Sequence, residues 1–502
     1  MFEVNDTVYI DVPDDESIDN PWLKGPWRPQ GREYAVSSDE LEVIGTIPKD
    51  LDGLYVRNTH NQALLPKGVY HPFDGDGMLH AVRFRDGKAE YRNAFVRTTG
   101  FLAEQGAKKS LWPGIMEPEK YERRGWGSMG AMKDNAGTDV KAHAGKLYAT
   151  MSQGSEPWTL SPTTLETLGP NTNWAKFVPG GMASHYKVDN STGDMIFFNF
   201  AEKPPYLNYG VVNKEDNLVH FVPIDLPGAR WPHDIGMTEN YSVLHDLPYF
   251  FDADLLEKGI RRGKFHNDIP ARFGIIPRFG RSEDVRWFEA KPAWIMHLAN
   301  CYEQGDWIIQ DGCIWPELVK PPVGGTEAHD IYARIKRNVD ATATGSHMYR
   351  WMFNLKTGEV REFPLDDEVT EFPVISNDVQ GLPYRYSYNA TFLPGEWLLT
   401  GLKRYDMTED KTTRLEFGEG RFGSEPAIAR GLDATDREDD GYGITFVTDM
   451  VEDRSEAVIF RLDDMESGPI CRIILPERIS VGTHACWVEG DRIEGEGRAL
   501  AV

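Results

Sequence analysis

"MYRWMFNLKTGEVREFPL" spans residues 348–365. It is two short runs of aromatic and apolar residues parted by Lys-Thr-Gly. A glycine stop between two runs of strand length is a hairpin signal, because glycine supplies the backbone angles that a tight turn needs. The same texture recurs in "GKLYATM" (145–151), "TGDMIFFNF" (192–200), "NLVHFVPI" (217–224), "GDWIIQDG" (305–312), "GEWLLTGL" (395–402), "YGITFVTDM" (442–450) and "AVIFRLDD" (457–464). Each run has strand length, and each is bounded by Asp-Gly, Thr-Gly or Pro-Gly turns. The expectation is an all-β chain of many antiparallel strands. Helical signals are few: "DADLLEKGIRRG" (252–263) predicts one helix stopped by Gly263, and "TTLETLG" (163–169) predicts a turn.

The 502 residues hold 48 Gly and 32 Pro, spread without a long linker. Strand texture that never breaks at a linker fits one closed propeller over residues 1–502 better than several sandwiches. The net charge of −25 argues against a nucleic-acid partner, since such a surface repels phosphate. Cys301, Cys313, Cys471 and Cys486 form no CxxC pair, which argues against a disulfide scaffold and a thiolate zinc site. No signal-like start and no long apolar run stand in the sequence, so the expectation is cytoplasmic.

Thirteen histidines are present, without HExxH and without an i,i+4 pair. A metal site would therefore gather ligands from distant strands. Four histidines stand out by their surroundings: His185 in "PGGMASHYKVDN", His233 in "WPHDIGMTENY", His297 in "AWIMHLANCYE" and His484 in "RISVGTHACWVEG". A histidine in apolar sequence needs partners for both ring nitrogens, and a metal with a carboxylate behind the ring supplies them. A core histidine bonded to backbone is the alternative for each taken singly.

"IPKDLDGLYVRN", "FDGDGMLHAVRF" and "YRNAFVRT" are followed in order by "TLETLG", "HDIGMTENY", "EFPVIS", "EDDG" and "LPERISVGTHACWVEG". This series resembles the carotenoid cleavage oxygenase family, which includes bacterial stilbene-cleaving dioxygenases and the retinoid isomerase of the eye. The resemblance covers roughly residues 40–490. It implies a seven-bladed β-propeller with a helical and loop cap over the face that bears an axial Fe(II). By motif, His185, His233, His297 and His484 match its ligands. His245 has no ligand counterpart and reads as a structural residue of the following turn. Glu371 and Glu438 match glutamates that accept from the far ring nitrogens. The third such position falls at Gln153 or Ser152, a departure from the family's glutamate, with Glu156 as a less favoured substitute.

The resemblance also implies the reaction, in which dioxygen is added across one carbon–carbon double bond to leave two carbonyl products. No flavin or nicotinamide is implied, and the sequence has no GxGxxG loop. Phe95, Trp112, Tyr302 and Trp351 are candidate linings of an aromatic substrate tunnel. The tyrosine and lysine with which stilbene-cleaving relatives grip a phenolate are replaced, by Phe95 and by Met151 or Ser152. That favours a long apolar polyene such as an apocarotenoid. A stilbenoid or a 4-vinyl or propenyl phenol is the alternative substrate, and a non-oxygenolytic isomerase and a binding-only propeller are further readings. "SLWPGIM" (110–116) is a candidate apolar lip for weak peripheral membrane contact.

Overall fold

The computed structural model describes residues 3–4, 8–12, 20–115, 133–152, 154–251, 263–316 and 331–494. Strand pairing groups the chain into successive antiparallel sheets. The opening stretch forms the strands His347–Asn354 and Val360–Pro364, paired with Tyr349 opposite Pro364. Buried and half-exposed residues alternate over Tyr349–Phe353, the pattern read from the sequence, and the flanking Met348 and Asn354 are buried as well.

The first blade consists of Gly53–Asn61, Asp76–Arg85 and Lys88–Phe95, with Ala485–Glu489 on its inner edge. The second is Asp139–His143, Lys146–Thr150, Trp158–Leu160 and Thr167–Pro170. The third is Lys187–Val188, Met195–Phe200, Leu207–Val212 and Leu218–Ile224. The fourth is Gly236–Met237, Tyr241–Asp246, Ala271–Pro277 and Arg286–Ala290. The fifth is Trp294–Gln304, Trp307–Trp315, His347–Asn354 and Val360–Pro364. A ten-stranded sheet supplies the last two. Its sixth-blade half is Glu371–Val374, Tyr386–Phe392, Leu399–Asp406 and Lys411–Glu416. Its seventh-blade half is Ala427–Ala429, Tyr442–Asp449, Arg454–Arg461 and Pro469–Ile474. The short strand Arg421–Gly423 joins the two halves. This grouping is consistent with the seven blades expected.

The inner strands pack side by side around an axis. Ala485–Glu489 contacts both Asp139–His143 and Ala427–Ala429, and Trp294–Gln304 contacts both Gly236–Met237 and Glu371–Val374. A parallel bridge between His185 and Asp234 joins the third blade to the fourth. Inner positions are buried throughout Gly53–Asn61, whereas the outer strand Lys411–Glu416 is mostly exposed and charged. A charged outer edge discourages pairing with another chain. Apolar clusters fill the spaces between blades, as where Val56, Leu79 and Val140 meet Leu147.

The ring is closed by strands from opposite ends of the chain. Ala485–Glu489 pairs with Gly53–Asn61, with Trp487 opposite Tyr55. Val43–Gly45 completes the outer edge of the seventh blade against Pro469–Ile474. A Cβ on Gly53 would lie 2.1 Å from the Trp487 ring, so the missing side chain is what lets the indole lie on the strand.

Several elements differ from the sequence expectation. "GEWLLTGL" enters its strand only at Leu399, and "AVIFRLDD" belongs to a strand that begins earlier, at Arg454. "TTLETLG" turns and then pairs as Thr167–Pro170. The helix expected at 252–263 lies outside the described residues, except that Gly263 opens the strand Gly263–Phe265. Helices at Thr99–Ala107 and Ile331–Val339 carried no strong sequence signal. The second packs Ile335 and Val339 into the cluster that holds Trp294 and Met296, and so supplies the helical part of a cap.

Trp487 is the buried anchor of the closing strand, 4% exposed and 6.2 Å from the Phe84 ring. Trp487→Ala removes that packing at a cost of about 3–5 kcal/mol. Its guanidinium or thermal unfolding midpoint should fall clearly below that of the parent. An unchanged midpoint would show that closure does not depend on this contact.

Candidate metal centre

The entrances of the inner strands carry a buried titratable residue on every blade. Asp139 starts the second blade, and His185 precedes the third. His233 and Asp234 precede the fourth, and His297 stands in the first strand of the fifth. Glu371 starts the sixth, Glu425 precedes the seventh, and His484 precedes the closing strand of the first.

Four of these are the histidines singled out from the sequence, and the fold brings them together. His185, His297 and His484 offer ligand nitrogens within 4.8 Å of one another. His233 joins through His185, with the two Nε2 atoms 3.1 Å apart. Nitrogens about 2.1 Å from a shared ion would lie about 3.0–3.4 Å apart, so this spacing suits common ligation. The His185 ring centroid lies 4.6 Å from that of His233, 5.0 Å from that of His297 and 4.5 Å from that of His484. Nε2 of His297 is buried and has no hydrogen-bond partner among the described residues. An orphaned lone pair turned toward other imidazoles is what a ligand-ready nitrogen looks like, so the donor set fits a transition-metal ion.

Carboxylates stand behind three of the rings. His297 Nδ1 donates to Glu371 Oε2 at 2.6 Å, and that carboxylate also accepts from Trp315 Nε1 at 3.0 Å. His484 Nδ1 lies 3.1 Å from Glu425 Oε1, and Ala485 N donates to Glu425 Oε2 at 2.5 Å. His185 Nδ1 lies 3.3 Å from Asp139 Oδ2, and Asp139 is also paired with Lys141. Glu371 and Glu425 each hold an imidazole with Nδ1–H turned back and Nε2 turned inward, and Asp139 faces Nδ1 of His185 as a charged neighbour. Burial pushes His185 and His233 well below the usual histidine range, with neighbouring imidazoles adding to the effect. Burial also opposes the charged form of His297, but Glu371 outweighs it and raises that group. Burial likewise opposes the charged Glu425, which the His484 imidazole nevertheless holds below the ordinary glutamate range.

The second carboxylate is thus Glu425 and not Glu438. Glu438 is turned away, accepting from Arg385 N at 2.8 Å and Tyr386 N at 2.9 Å to tie a loop to the sixth blade. Gln153 lies outside the described residues. Its neighbour Ser152 donates from its backbone to Thr138 Oγ1 at 3.1 Å, and Glu156 is exposed and cannot substitute. Asp234 accepts from Leu298 N at 2.9 Å and from Lys187 Nζ at 2.7 Å, tying three blades together behind the histidines. His245 lies within the strand Tyr241–Asp246 instead of a turn, and its Nε2 is 3.1 Å from Gln310 Oε1.

The two ends of the centre differ in chemistry. Trp294 lies 5.6 Å from the His233 ring, and Phe372 lies 4.9 Å from His297 and 5.1 Å from His484. Trp397 backs Phe372 at 5.5 Å, and Trp315 and Tyr249 back Trp294. Phe372 has φ +49°, and a register shift follows Glu371. That bulge turns the Phe372 ring to the same centre as the preceding carboxylate, where a regular strand would send them to opposite faces. His185, His297 and His484 themselves line a cavity of about 160 Å³ between the inner strands, together with Lys141, Lys187 and Glu425 and apolar residues such as Leu298 and Ile428.

The four tunnel candidates lie elsewhere. Phe95 stacks on Phe101 at 5.1 Å, in a small cluster with Ala63 and Met78. Tyr302 meets Tyr384 at 6.0 Å, toward the far end of the His297 strand. Trp351 is fully buried on the third strand of the fifth blade, between Phe273 and Tyr349. Trp112 lines a cavity of about 40 Å³ with Tyr70, Asp74 and Lys133. It is only 4% exposed and Pro113 is also buried, so the expected apolar lip lacks its aromatic anchor; Met116 lies outside the described residues. Among the described residues no helix is long and apolar enough to cross a membrane.

Known proteins share this architecture. The chain is 31% identical to carotenoid 9,10(9',10')-cleavage dioxygenase 1 of Pisum sativum, over 96% of this chain and 93% of that protein. It is 28% identical to isoeugenol monooxygenase of Pseudomonas nitroreducens, over 89% of this chain and 94% of that protein. The crystal structure of Pseudomonas brassicacearum lignostilbene dioxygenase superposes with a TM-score of 0.82 and 25% identity, over 94% of this chain and 99% of that one. The family model for the retinal pigment epithelial membrane protein matches residues 27–489, and the chain accordingly belongs to that family, the carotenoid cleavage oxygenases.

Proposed function

We propose that the chain is an oxygenase that cleaves one carbon–carbon double bond of a conjugated, apolar substrate, an apocarotenoid before all others. The observation that carries the reading is the four-imidazole cluster faced by Trp294 and Phe372. His185, His233, His297 and His484 would hold Fe(II), with Glu371, Glu425 and Asp139 fixing the rings. Iron(II) in that place supplies the one-electron chemistry by which dioxygen becomes reactive toward an alkene.

The residues themselves bind, orient and exclude water. Phe372 and Trp294 offer flat faces to a conjugated chain, and the buried cluster behind them keeps the reacting bond dry. Placing one double bond beside the centre converts an encounter into a positioned reaction. The overall balance is R–CH=CH–R′ + O₂ → R–CHO + R′–CHO, so no external reductant is consumed. The carotenoid-cleaving relative in Pisum sativum supports the apocarotenoid reading. The isoeugenol- and lignostilbene-named relatives support aryl alkenes as a second reading. The four unpaired cysteines suit a reducing compartment and support a cytoplasmic setting.

Protein purified without added iron should carry close to one iron per chain. Under ¹⁸O₂, with the aldehydes trapped against exchange, each product should gain one labelled oxygen. An isomerised substrate without label would overturn the oxygenase reading. His297→Ala should lose both iron and turnover.

The carboxylates behind the rings allow a second comparison. Glu371→Gln and Glu425→Gln should each weaken iron retention about 10–100-fold in chelator competition. Glu438→Gln should leave retention unchanged, because its carboxylate faces backbone amides. Equal retention in all three variants would remove the carboxylates from the metal site.

A further inference from the structure

His60 stands on the strand Gly53–Asn61, beside the strand that brings in His484. Asn58 N donates to His484 O at 2.8 Å, and Thr483 N donates to Asn58 O at 3.0 Å. His60 lies two residues further along on the same face, one step beyond the end of that pairing. Its ring is 8% exposed and lies 5.4 Å from Phe73. Phe73 meets Trp397 at 6.3 Å, and Trp397 meets Phe372 at 5.5 Å, so His60 joins the aromatic wall that reaches the metal centre.

One edge of the imidazole is accounted for. Nδ1 lies 3.3 Å from Gly75 O and 3.4 Å from Asn135 Nδ2. Gly75 O can only accept, and it is the nearer of the two partners, so we assign the ring proton to Nδ1; the Asn135 amide donates to Phe73 O at 2.9 Å. Space for this edge is built in. A Cβ on Gly137 would lie 2.5 Å from His60 Nδ1, and a Cβ on Gly75 would lie 2.7 Å from the His60 carbonyl carbon. Gly137 O in turn accepts from Thr483 Oγ1 at 3.0 Å, next to His484.

The other edge is not. Nε2 is buried and has no hydrogen-bond partner among the described residues. Burial pushes this histidine down to about 4, so the ring is neutral at pH 7 and Nε2 carries a lone pair. A buried acceptor without a donor is destabilising, and a donor brought by a ligand removes that penalty. Lys133, which lines a cavity with Asn135, is already paired with Asp76 and with Glu104.

We propose that His60 is a specificity-determining residue whose Nε2 accepts a hydrogen bond from a neutral hydroxyl group of the substrate. The substrate class is thereby narrowed to conjugated alkenes that carry a hydroxyl, whether on a phenol ring or on the end ring of an apocarotenoid. This rests on the alkene-cleavage reading above. A neutral acceptor suits an un-ionised hydroxyl and disfavours a phenolate.

The test compares matched substrates in one protein preparation. The pairs are 4-hydroxystilbene with stilbene, and a 3-hydroxy-β-apocarotenal with its unhydroxylated counterpart. The wild type should favour the hydroxylated member of at least one pair by roughly 10-fold in kcat/KM. The pair that responds identifies the source of the hydroxyl. His60→Phe should bring that ratio close to one, and His60→Gln, which keeps an acceptor, should restore part of it. The ratio is internal to each variant, so partial misfolding does not alter it. No preference in the wild type, or a ratio unmoved by His60→Phe, overturns the proposal. If no alkene is cleaved, the oxygenase reading fails on its own. Quenching of tryptophan fluorescence by the same pairs then still decides whether His60 discriminates the hydroxyl.

Discussion

A carboxylate on one inner strand holding an imidazole on the next is the interaction on which the centre depends. It occurs between the fifth and sixth blades (His297 with Glu371), the seventh and first (Glu425 with His484) and the second and third (Asp139 with His185). Buried carboxylates are costly unless they are paired and hydrogen-bonded. Here each also accepts a backbone or indole N–H, or takes a lysine. The pairing therefore does two things at once. It pins adjacent blades together at their narrowest point, and it sets which nitrogen of each ring faces the axis. The fourth blade has only His233 at this level, and its Asp234 turns instead to Lys187 and to the strand of the fifth blade.

The same geometry separates two environments. Aromatic rings stand on one side of the centre, at Trp294 and Phe372, and the residues that follow the histidines line a cavity in which Lys141, Lys187 and Glu425 are set among apolar side chains. The division follows from the inner strands all running in one direction past the centre, so that earlier and later residues collect at opposite ends. The bulge at Phe372 is the local exception that serves this arrangement. A residue with φ +49° and a large side chain is strained, and strain of this kind persists where the surroundings hold it. Its return is a ring laid against two imidazoles with a carboxylate one residue behind.

Much of this was legible in the sequence, and the reasons differ by residue. The strands could be read because glycine turns punctuate apolar runs, as in "NLKTGEV". The four histidines could be read because their motifs match the family's ligand positions, whereas apolar surroundings alone marked only His297 and His484. Glu425 escaped because "EDDG" offered more carboxylates, and local charge says nothing about which side chain points inward. A better signal was available: Glu371 and Glu425 each stand at the mouth of an inner strand with a proline within two residues, in "EFPV" and "EPAI". The tunnel residues could not be read, because an aromatic side chain in a propeller has the same sequence context whether it fills a blade or faces the axis. Phe95 and Trp351 fill blades, whereas Phe372 reaches the centre through a bulge that no alternation pattern announces.

The closing strand Ala485–Glu489 has an implication for the order of events in folding. It pairs with Gly53–Asn61, more than four hundred residues earlier in the chain, and it brings in His484. Contacts so distant form late, since the loop-closure entropy must be overcome before they add stability. During synthesis the first six inner strands can assemble while the ring is still open. The histidine cluster then gains its last imidazole only when the circle shuts, so the four-ring arrangement is a product of completed folding.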